Sequence, residues 1–320
     1  MAESSIARIA SPPPVAIGSP QSVVSVWLAG RTPSTLAAYR QSIEDFAAWL
    51  GCGADDAARR LLGSGPGPAN ELALRYRNAM TDRGMKSSTV SVRLSALRSL
   101  VKVARMVGAV NWSLDVPLPK VKAYRDTRGP GAESVAGMVE AVGERTDAKG
   151  KRDVAILRLL FDVALRRSEV VGMDMEHFDA ERRRIAVKGK GDTGRDWITL
   201  PEPTAEALRE WIAERGNDPG PLFVELATGK RGRLSGTSVA TIVTKAGDSV
   251  GVRARPHGLR HSAITAALDA TGGNVRTVAK FSRHAKIETV CRYDDARTDA
   301  AGIVAKAVAL PRKGNRHAEN

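Results

Sequence analysis

The chain has 320 residues, 42% of them hydrophobic, enough for two domains with a core each. Its 49 Lys and Arg outnumber 35 Asp and Glu, and the resulting formal charge of +14 favours a polyanion such as nucleic acid without separating DNA from RNA or an acidic membrane. Two cysteines, Cys52 and Cys291, exclude a disulfide framework and a cysteine-built zinc site; no uncharged apolar run approaches a membrane span, and a cytoplasmic protein is expected.

Residues 1–20, rich in Ser, Pro and Ala, are expected to form a flexible arm. From Ser34 to Leu50 the apolar positions Leu36, Tyr39, Ile43, Phe46 and Leu50 recur at three and four, which predicts a helix capped by Ser34 and closed by Gly51. GSGPGP at 63–68 reads as a loop, followed by a helix over residues 71–83 that Gly84 stops. Ser87 or Ser88 then caps a long helix with Val90, Leu94, Leu97, Val101 and Ala104 on one face and Arg98, Lys102 and Arg105 on another. That basic face is either solvated or a phosphate-tracking one. Nothing here alternates like a strand, so residues 21–115 are expected to be a small all-helical domain. Residues 116–131, with three prolines and the basic Lys120 and Lys122, read as an extended linker and as further candidate DNA contacts.

The second domain is expected over residues 132–310, ahead of a basic tail at 311–320. A helix from about Arg152 carries Leu157, Phe161 and Leu165 on its apolar stripe and ends near the stretch ALRRSE. Arg184–Val187 and Asp196–Leu200 are short strands joined by KGKGDTG into a hairpin, and PLFVEL at 221–226 is a third candidate strand. Helices follow at Pro203–Glu214 and from Ser235 to about Val250, closed by Gly216 and Gly251. The fold expected is therefore mainly α with a small β-sheet.

Pro256 precedes HGLRH at 257–261, and the helix it opens has Leu259, Ala263, Ala266 and Ala270 as its apolar stripe before a glycine pair. His257, Arg260 and His261 fall at i, i+3 and i+4, near one another in the first turns. A helix start already favours a phosphate, and the planar donors of arginine match its oxygens better than lysine does. His284 stands nine residues before Tyr293. Two arginines, several histidines and a tyrosine are the residue types that can break a phosphodiester without a metal: cations to hold charge and a phenol to attack.

ALRRSE, KGKG, HGLRH and a histidine with a tyrosine nine positions later, in this order, resemble the tyrosine recombinase, or phage integrase, family. The resemblance covers about Glu133 to Val304, and more weakly the helical region before it, where TPSTLAAYRQSIEDFAAWL and KSSTVSVRLSALRSLVKVAR look like the family's core-binding (SAM-like) domain. It implies a mixed α/β catalytic domain, double-stranded DNA as partner, a homotetramer on two DNA sites, and no cofactor or metal. By the resemblance Arg166 and Arg260 are the clamp arginines, Glu169 closes the first motif, and Lys190 approaches the leaving-group oxygen. His257 and His284 are the motif histidines, His261 supports the site, and Tyr293 is the nucleophile. Ala164 stands where the family usually has glycine, with Arg167 as understudy to Arg166; Lys188 is the substitute for Lys190. Ser282-Arg283 replaces the usual Leu-Gly before the third-motif histidine.

The roles follow from elementary chemistry. A phenol with a pKa of about 10 needs a base or a cationic field to attack at neutral pH. Donors preorganised on the nonbridging oxygens contribute about 3–4 kcal/mol each. Expulsion of the 5′ oxygen needs a proton, which the Lys190 ammonium can supply, while His257 is a base or a hydrogen-bonding positioner. A phosphotyrosyl ester stores the bond energy for resealing, so no nucleotide is needed. No phosphate loop of the G-x-x-x-x-G-K-[ST] type is present. Asp174, Glu176 and Asp179 are a weaker candidate for a metal-binding carboxylate cluster. A tail helix after Thr298, with Ile303, Val304, Ala307 and Val308 apolar, is a candidate for docking into a neighbouring protomer. The alternatives are a type IB topoisomerase, which relaxes DNA by the same chemistry, and a DNA-binding regulator that has lost catalysis.

Overall fold

The computed structural model describes residues 20–119, 129–188, 194–226, 232–291, 293, 305, 308 and 309. Lys120, Lys122 and Lys190 lie outside the described residues, as do residues 1–19, Ile303, Val304, Ala307 and the tail at 311–320. The chain divides into two compact units, residues 1–125 and 126–320. No helix among the described residues is long and apolar enough to cross a membrane.

In the first unit α1 (Pro20–Leu28), α2 (Pro33–Leu50), α3 (Ala54–Gly63), α4 (Pro66–Asp82) and α5 (Ser87–Met106) surround one core. The α2 cap is Thr32, not the expected Ser34: its hydroxyl accepts from the Thr35 N–H, and Pro33 occupies the first helical position, where a missing N–H costs nothing. Gly51 ends α2 at φ 67°, as the glycine predicted. Pro66 likewise starts α4 five residues ahead of the expected Glu71, inside the segment read as a loop. Lys86, not a serine, precedes α5, and no side chain caps it. Val90, Leu94, Leu97, Val101 and Ala104 of α5 are buried as expected, while Lys102 and Arg105 are exposed and Arg98 half-buried. Trp27, Phe46 and Tyr76 fill the core; the Trp27 indole N–H donates to Ser99 Oγ at 3.2 Å.

The second unit contains α6 (Ala132–Gly143), α7 (Ala148–Asp162), α8 (Arg167–Val171), a 3₁₀ turn at Met175–His177, β1 (Phe178–Asp179), β2 (Arg184–Lys188), β3 (Arg195–Thr199), α9 (Glu202–Arg215), α10 (Gly236–Asp248), α11 (Pro256–Ala270), α12 (Val275–Ser282) and α13 (Ile287–Cys291). The antiparallel sheet runs β1-β2-β3, with Ala186 opposite Trp197 and Lys188 opposite Arg195. Its third strand is Phe178–Asp179, not PLFVEL: residues 221–226 form a buried loop with single bridges from Pro221 to Asp174 and from Val224 to Arg233. That apolar run is held by side chains as well as backbone: the Trp211 indole donates to the Leu222 carbonyl at 2.8 Å and the buried Arg152 to the Val224 carbonyl at 3.1 Å, while the Leu222 N–H donates to the Met173 carbonyl and the Leu234 N–H to the Phe223 carbonyl, both at 2.9 Å. Helix α7 begins at Ala148 rather than Arg152, because Asp147 accepts from the Gly150 N–H at 2.8 Å. Helix α7 packs on α6, α9 and α11, and this assembly carries the site.

Candidate active site

Two helix ends come together to build the site. Helix α7 stops at Asp162 and the chain turns through Ala164, fully buried at φ 48°; α12 stops at Ser282 and turns through Arg283 at φ 55°. Both positions are left-handed helix terminators that favour glycine, and a side chain there costs about 1–2 kcal/mol. Ala164 and Arg283 therefore take the turn that a glycine would have taken, and the turn survives their substitution.

Arg166 precedes α8 and Glu169 lies one turn in. The Glu169 carboxylate, 5% exposed, accepts from the Arg166 backbone N–H at 2.7 Å and from its Nη1 at 2.6 Å, so it fixes both the helix start and the guanidinium. Arg166 Nη2 donates to the Arg283 carbonyl at 3.2 Å. Arg167, the understudy, is exposed and lines the same pocket without these contacts to Glu169 and Arg283.

Helix α11 starts at Pro256 as predicted, and the chain entering the second unit passes tightly against its first turns. A Cβ on Gly129 would sit 1.9 Å from the Gly258 carbonyl oxygen, and the Gly131 N–H donates to Ser262 Oγ at 3.1 Å. The buried face of α11 is Leu259, Ala263, Ile264 and Leu268; Ala270, expected in the stripe, is exposed because it lies on the last turn beyond the packed face. Arg260 is 3% exposed and donates to the carbonyls of Ala164 and Ser282, so it ties both left-handed turns to α11. Burial, then the Arg166 and Arg283 charges, lower its pKa to about 10, which leaves it protonated at neutral pH.

His284 Nδ1 lies 2.8 Å from Ser282 Oγ, whose own hydroxyl donates to the Val278 carbonyl at 2.7 Å, so Nδ1 is the protonated nitrogen. His284 Nε2 then faces Arg260 Nη2 at 3.4 Å as an acceptor. Burial and the surrounding Arg260, Arg166 and Arg283 charges push its pKa down to about 4. His257 is exposed at the pocket, yet the protein packed around it and the Arg260 charge hold its pKa below the ordinary histidine value. Tyr293 is 8% exposed, its ring centroid 4.7 Å from that of His261 and 5.8 Å from that of His284.

Arg166, His257, Arg260, His284 and Tyr293 thus line one pocket of about 590 Å³. Lys188 is exposed at the end of β2, and Lys190 falls outside the described residues. Reading the sequence alone assigned no role to Arg283, whose guanidinium, 10% exposed, donates to Glu169 Oε2 and to the Ala164 carbonyl, both at 3.0 Å, and to the Val163 carbonyl at 3.2 Å. Its only trace in the sequence is a cation where glycine was expected. Four arginines, Arg166, Arg167, Arg255 and Arg260, line the pocket, and among the described residues Glu169 is the one carboxylate hydrogen-bonded to Arg166, Arg260 or the neighbouring Arg283, so the pocket holds a surplus of positive charge suited to an anion.

The weaker metal proposal is not supported as drawn. Asp179 pairs with Arg184 at 2.9 Å and Asp174 with Arg233 at 2.5 Å, and the group whose ligand atoms approach one another is Asp174, Glu176 and His177. His177 Nδ1 already accepts the Asp174 backbone N–H at 2.8 Å.

A family model described as the phage integrase family matches residues 132–299. A tyrosine recombinase of Synechococcus elongatus is 40% identical over 85% of this chain and 88% of its own length. A tyrosine recombinase of Synechocystis sp. is 38% identical over 83% and 88%. Among solved structures, the Tn1549 transposon integrase in complex with transposon right-end DNA shares the fold with a TM-score of 0.68 at 16% identity, covering 92% of this chain and all of that one.

Proposed function

The chain belongs to the phage integrase family of tyrosine recombinases, and on that premise we propose that it is a site-specific DNA recombinase that cuts and rejoins strands through a covalent 3′-phosphotyrosine at Tyr293. The observation that carries the reading is the convergence of Arg166, His257, Arg260, His284 and Tyr293, drawn from four separate segments, on one cation-rich pocket.

Tyr293 Oη attacks the phosphorus and the bond to the 5′ oxygen breaks. Arg166 and Arg260 hold the nonbridging oxygens as negative charge builds on them, the term that preorganised donors serve best. His257, neutral at pH 7, is suited to accept the phenolic proton. Lys190 delivers a proton to the departing 5′ oxygen. His284, with its Nε2 turned to Arg260, holds that guanidinium from the side; donating to a phosphate would require its other tautomer. A 5′ hydroxyl of the partner strand then attacks the phosphotyrosyl phosphorus and releases Tyr293, so bond energy is conserved and the chemistry requires no nucleotide or metal.

Double-stranded DNA is the substrate, and exchange between two sites requires four protomers on two duplexes. Arg98, Lys102 and Arg105 on α5, with Lys120 and Lys122, supply phosphate contacts in the helical domain, where each adds to affinity but not to chemistry. The test is a duplex selected for binding from a random-sequence pool, nicked just 3′ of the cleavage position so that the released fragment diffuses away. The protein should form an adduct that survives denaturing electrophoresis and is absent in Y293F. Failure of the wild type to form it removes the proposal, and relaxation of supercoiled plasmid with no selected site would favour a topoisomerase instead.

A further inference from the structure

We propose that Arg283 is a positioning residue of strand cleavage: it ties the Val163–Ala164 turn to Glu169 and thereby sets the attitude of the Arg166 and Arg260 guanidinium groups. The inference rests on the reading of the pocket as a strand-cleavage site.

Arg283 does not line the pocket, so it acts through its neighbours. Its side chain folds back into the protein and bonds to three carbonyls, those of Val163, Ala164 and Phe281, and to one carboxylate, Glu169. Each of these partners except Phe281 belongs to the segment that presents Arg166. The backbone of the same turn serves the other side: the Arg283 carbonyl accepts from Arg166 and the preceding Ser282 carbonyl from Arg260. The left-handed φ at Arg283 is what turns the chain here, immediately after α12, and so places these successive carbonyls. The Ala164 carbonyl is a shared acceptor, taking one bond from Arg260 and one from Arg283. Arg166 and Arg260, two of the arginines that line the pocket, are thus anchored to groups that Arg283 also holds.

The two left-handed turns are linked in a second way. Ala164 and Arg283 both occupy positions that favour glycine, 119 residues apart in sequence and joined by a hydrogen bond. An alanine held in a left-handed turn needs its surroundings to keep it there. The guanidinium of Arg283, bonded to the carbonyls on either side of the Ala164 Cα, supplies that support. The pair behaves as a unit: the side chain that strains one turn secures the other.

The experiment is single-turnover cleavage of the selected nicked duplex at saturating protein, with DNA affinity measured separately, for wild type, R283G, R283K, A164G and the A164G/R283G double variant. Glycine at 283 relaxes that turn but removes four hydrogen bonds, so R283G should cleave at least tenfold more slowly while its DNA affinity changes less than twofold. In the double variant glycine at 164 no longer needs the support, and the cost of R283G, measured against A164G alone, should shrink. Wild-type cleavage by R283G, a loss wholly in affinity, or equal cost in both backgrounds would overturn the proposal. Should R283G fail to fold, R283K carries the test, because one ammonium cannot span the two carbonyls and Glu169 at once; it should show the same split between rate and affinity, and a wild-type rate would overturn the role. If the wild type itself forms no adduct, the strand-cleavage reading fails; if it does and the 283 variants match it, only the role of Arg283 is lost.

Discussion

In the helical unit Asp45 accepts the Tyr76 hydroxyl at 2.6 Å, Arg93 at 2.7 Å and Arg83 at 3.1 Å; in the second unit Glu169 accepts Arg166 at 2.6 Å and Arg283 at 3.0 Å, with Arg260 and Tyr293 beside them. Both sites combine a carboxylate, arginines and a tyrosine, and their consequences differ. Around Asp45 the network closes on itself. Tyr76 is fully buried, and burial together with its bond to Asp45 raises its pKa well above the ordinary phenol value. Burial of Asp45 pushes its own pKa up, but the Tyr76 hydroxyl and the two arginines outweigh it and the net direction is down. In the second unit the guanidinium groups outnumber the carboxylate they share, Arg260 rests on carbonyls, and Tyr293 packs against two imidazole rings within the field of Arg260. A phenol on a carboxylate keeps its proton and becomes scaffold, whereas Tyr293 has two imidazole rings and a guanidinium for neighbours.

The largest expected effect separates the two tyrosines. Tyr293→Phe should reduce covalent adduct to background while the ring keeps its packing against His261 and His284. Tyr76→Phe should leave adduct formation intact and destabilise the helical unit by about 1–3 kcal/mol, because Asp45 loses a buried partner. Denaturing gels and urea unfolding of the same two variants read both, and an adduct in Y293F would break the distinction.

Next comes the arginine that rests on carbonyls. Arg260→Lys should slow cleavage by about 10²–10³-fold, as loss of a preorganised donor does, while DNA affinity, spread over many phosphates, changes little. Arg93→Lys should lower stability by about 1 kcal/mol with the cleavage rate kept. Equal losses of rate and affinity in R260K would contradict the clamp role.

Gly129 offers a sharper structural probe. Its Cβ in Gly129→Ala would meet the Gly258 carbonyl at 1.9 Å, so either the chain or the first turn of α11 must move. A loss of about 1–3 kcal/mol in stability and slower cleavage are expected, whereas alanine at exposed Gly67, with open space around its Cβ, should change neither.

How much of this was legible beforehand depended on where the signal was local. Helix α11 declared itself through Pro256 at its start and the glycine pair past its end, and with it the placement of His257 and Arg260. The hairpin showed through two short strand candidates on either side of a glycine-rich segment. PLFVEL did not, because a short apolar run looks alike whether a strand ladder or side chains such as Trp211 and Arg152 satisfy its carbonyls. Helix α6 went unread because AESVAGMVEAVG offers no side-chain N-cap and a glycine at its centre. Arg283 was out of reach for a different reason: its partners Val163, Ala164 and Glu169 lie more than 100 residues away, and no pattern in sequence spacing encodes them.

A smaller effect concerns pH. His284, with its pKa lowered to about 4 in the folded chain, binds fewer protons than the unfolded chain between about pH 4 and 6.5. Its contribution to stability is therefore complete above about 6.5 and is lost as pH falls towards 4. Replacing it by glutamine should narrow the stability gap between pH 7 and pH 4.5 in urea unfolding, and an unchanged gap would contradict its burial among cations. Asp45, with its pKa lowered, contributes stability that is present above its ordinary carboxylate value of 3.8 and is lost as pH falls through its folded value. In Asp45→Asn that loss at low pH should be smaller than in wild type, the least of the shifts expected.

The most direct measurement is to digest the covalent complex formed on the selected nicked duplex and locate the nucleotide-bearing peptide by mass spectrometry. A single phosphotyrosyl link at Tyr293, through the 3′ phosphate of the cut strand, is expected. An adduct on another residue, a 5′ linkage, or cleavage that proceeds with no link to the protein would contradict it.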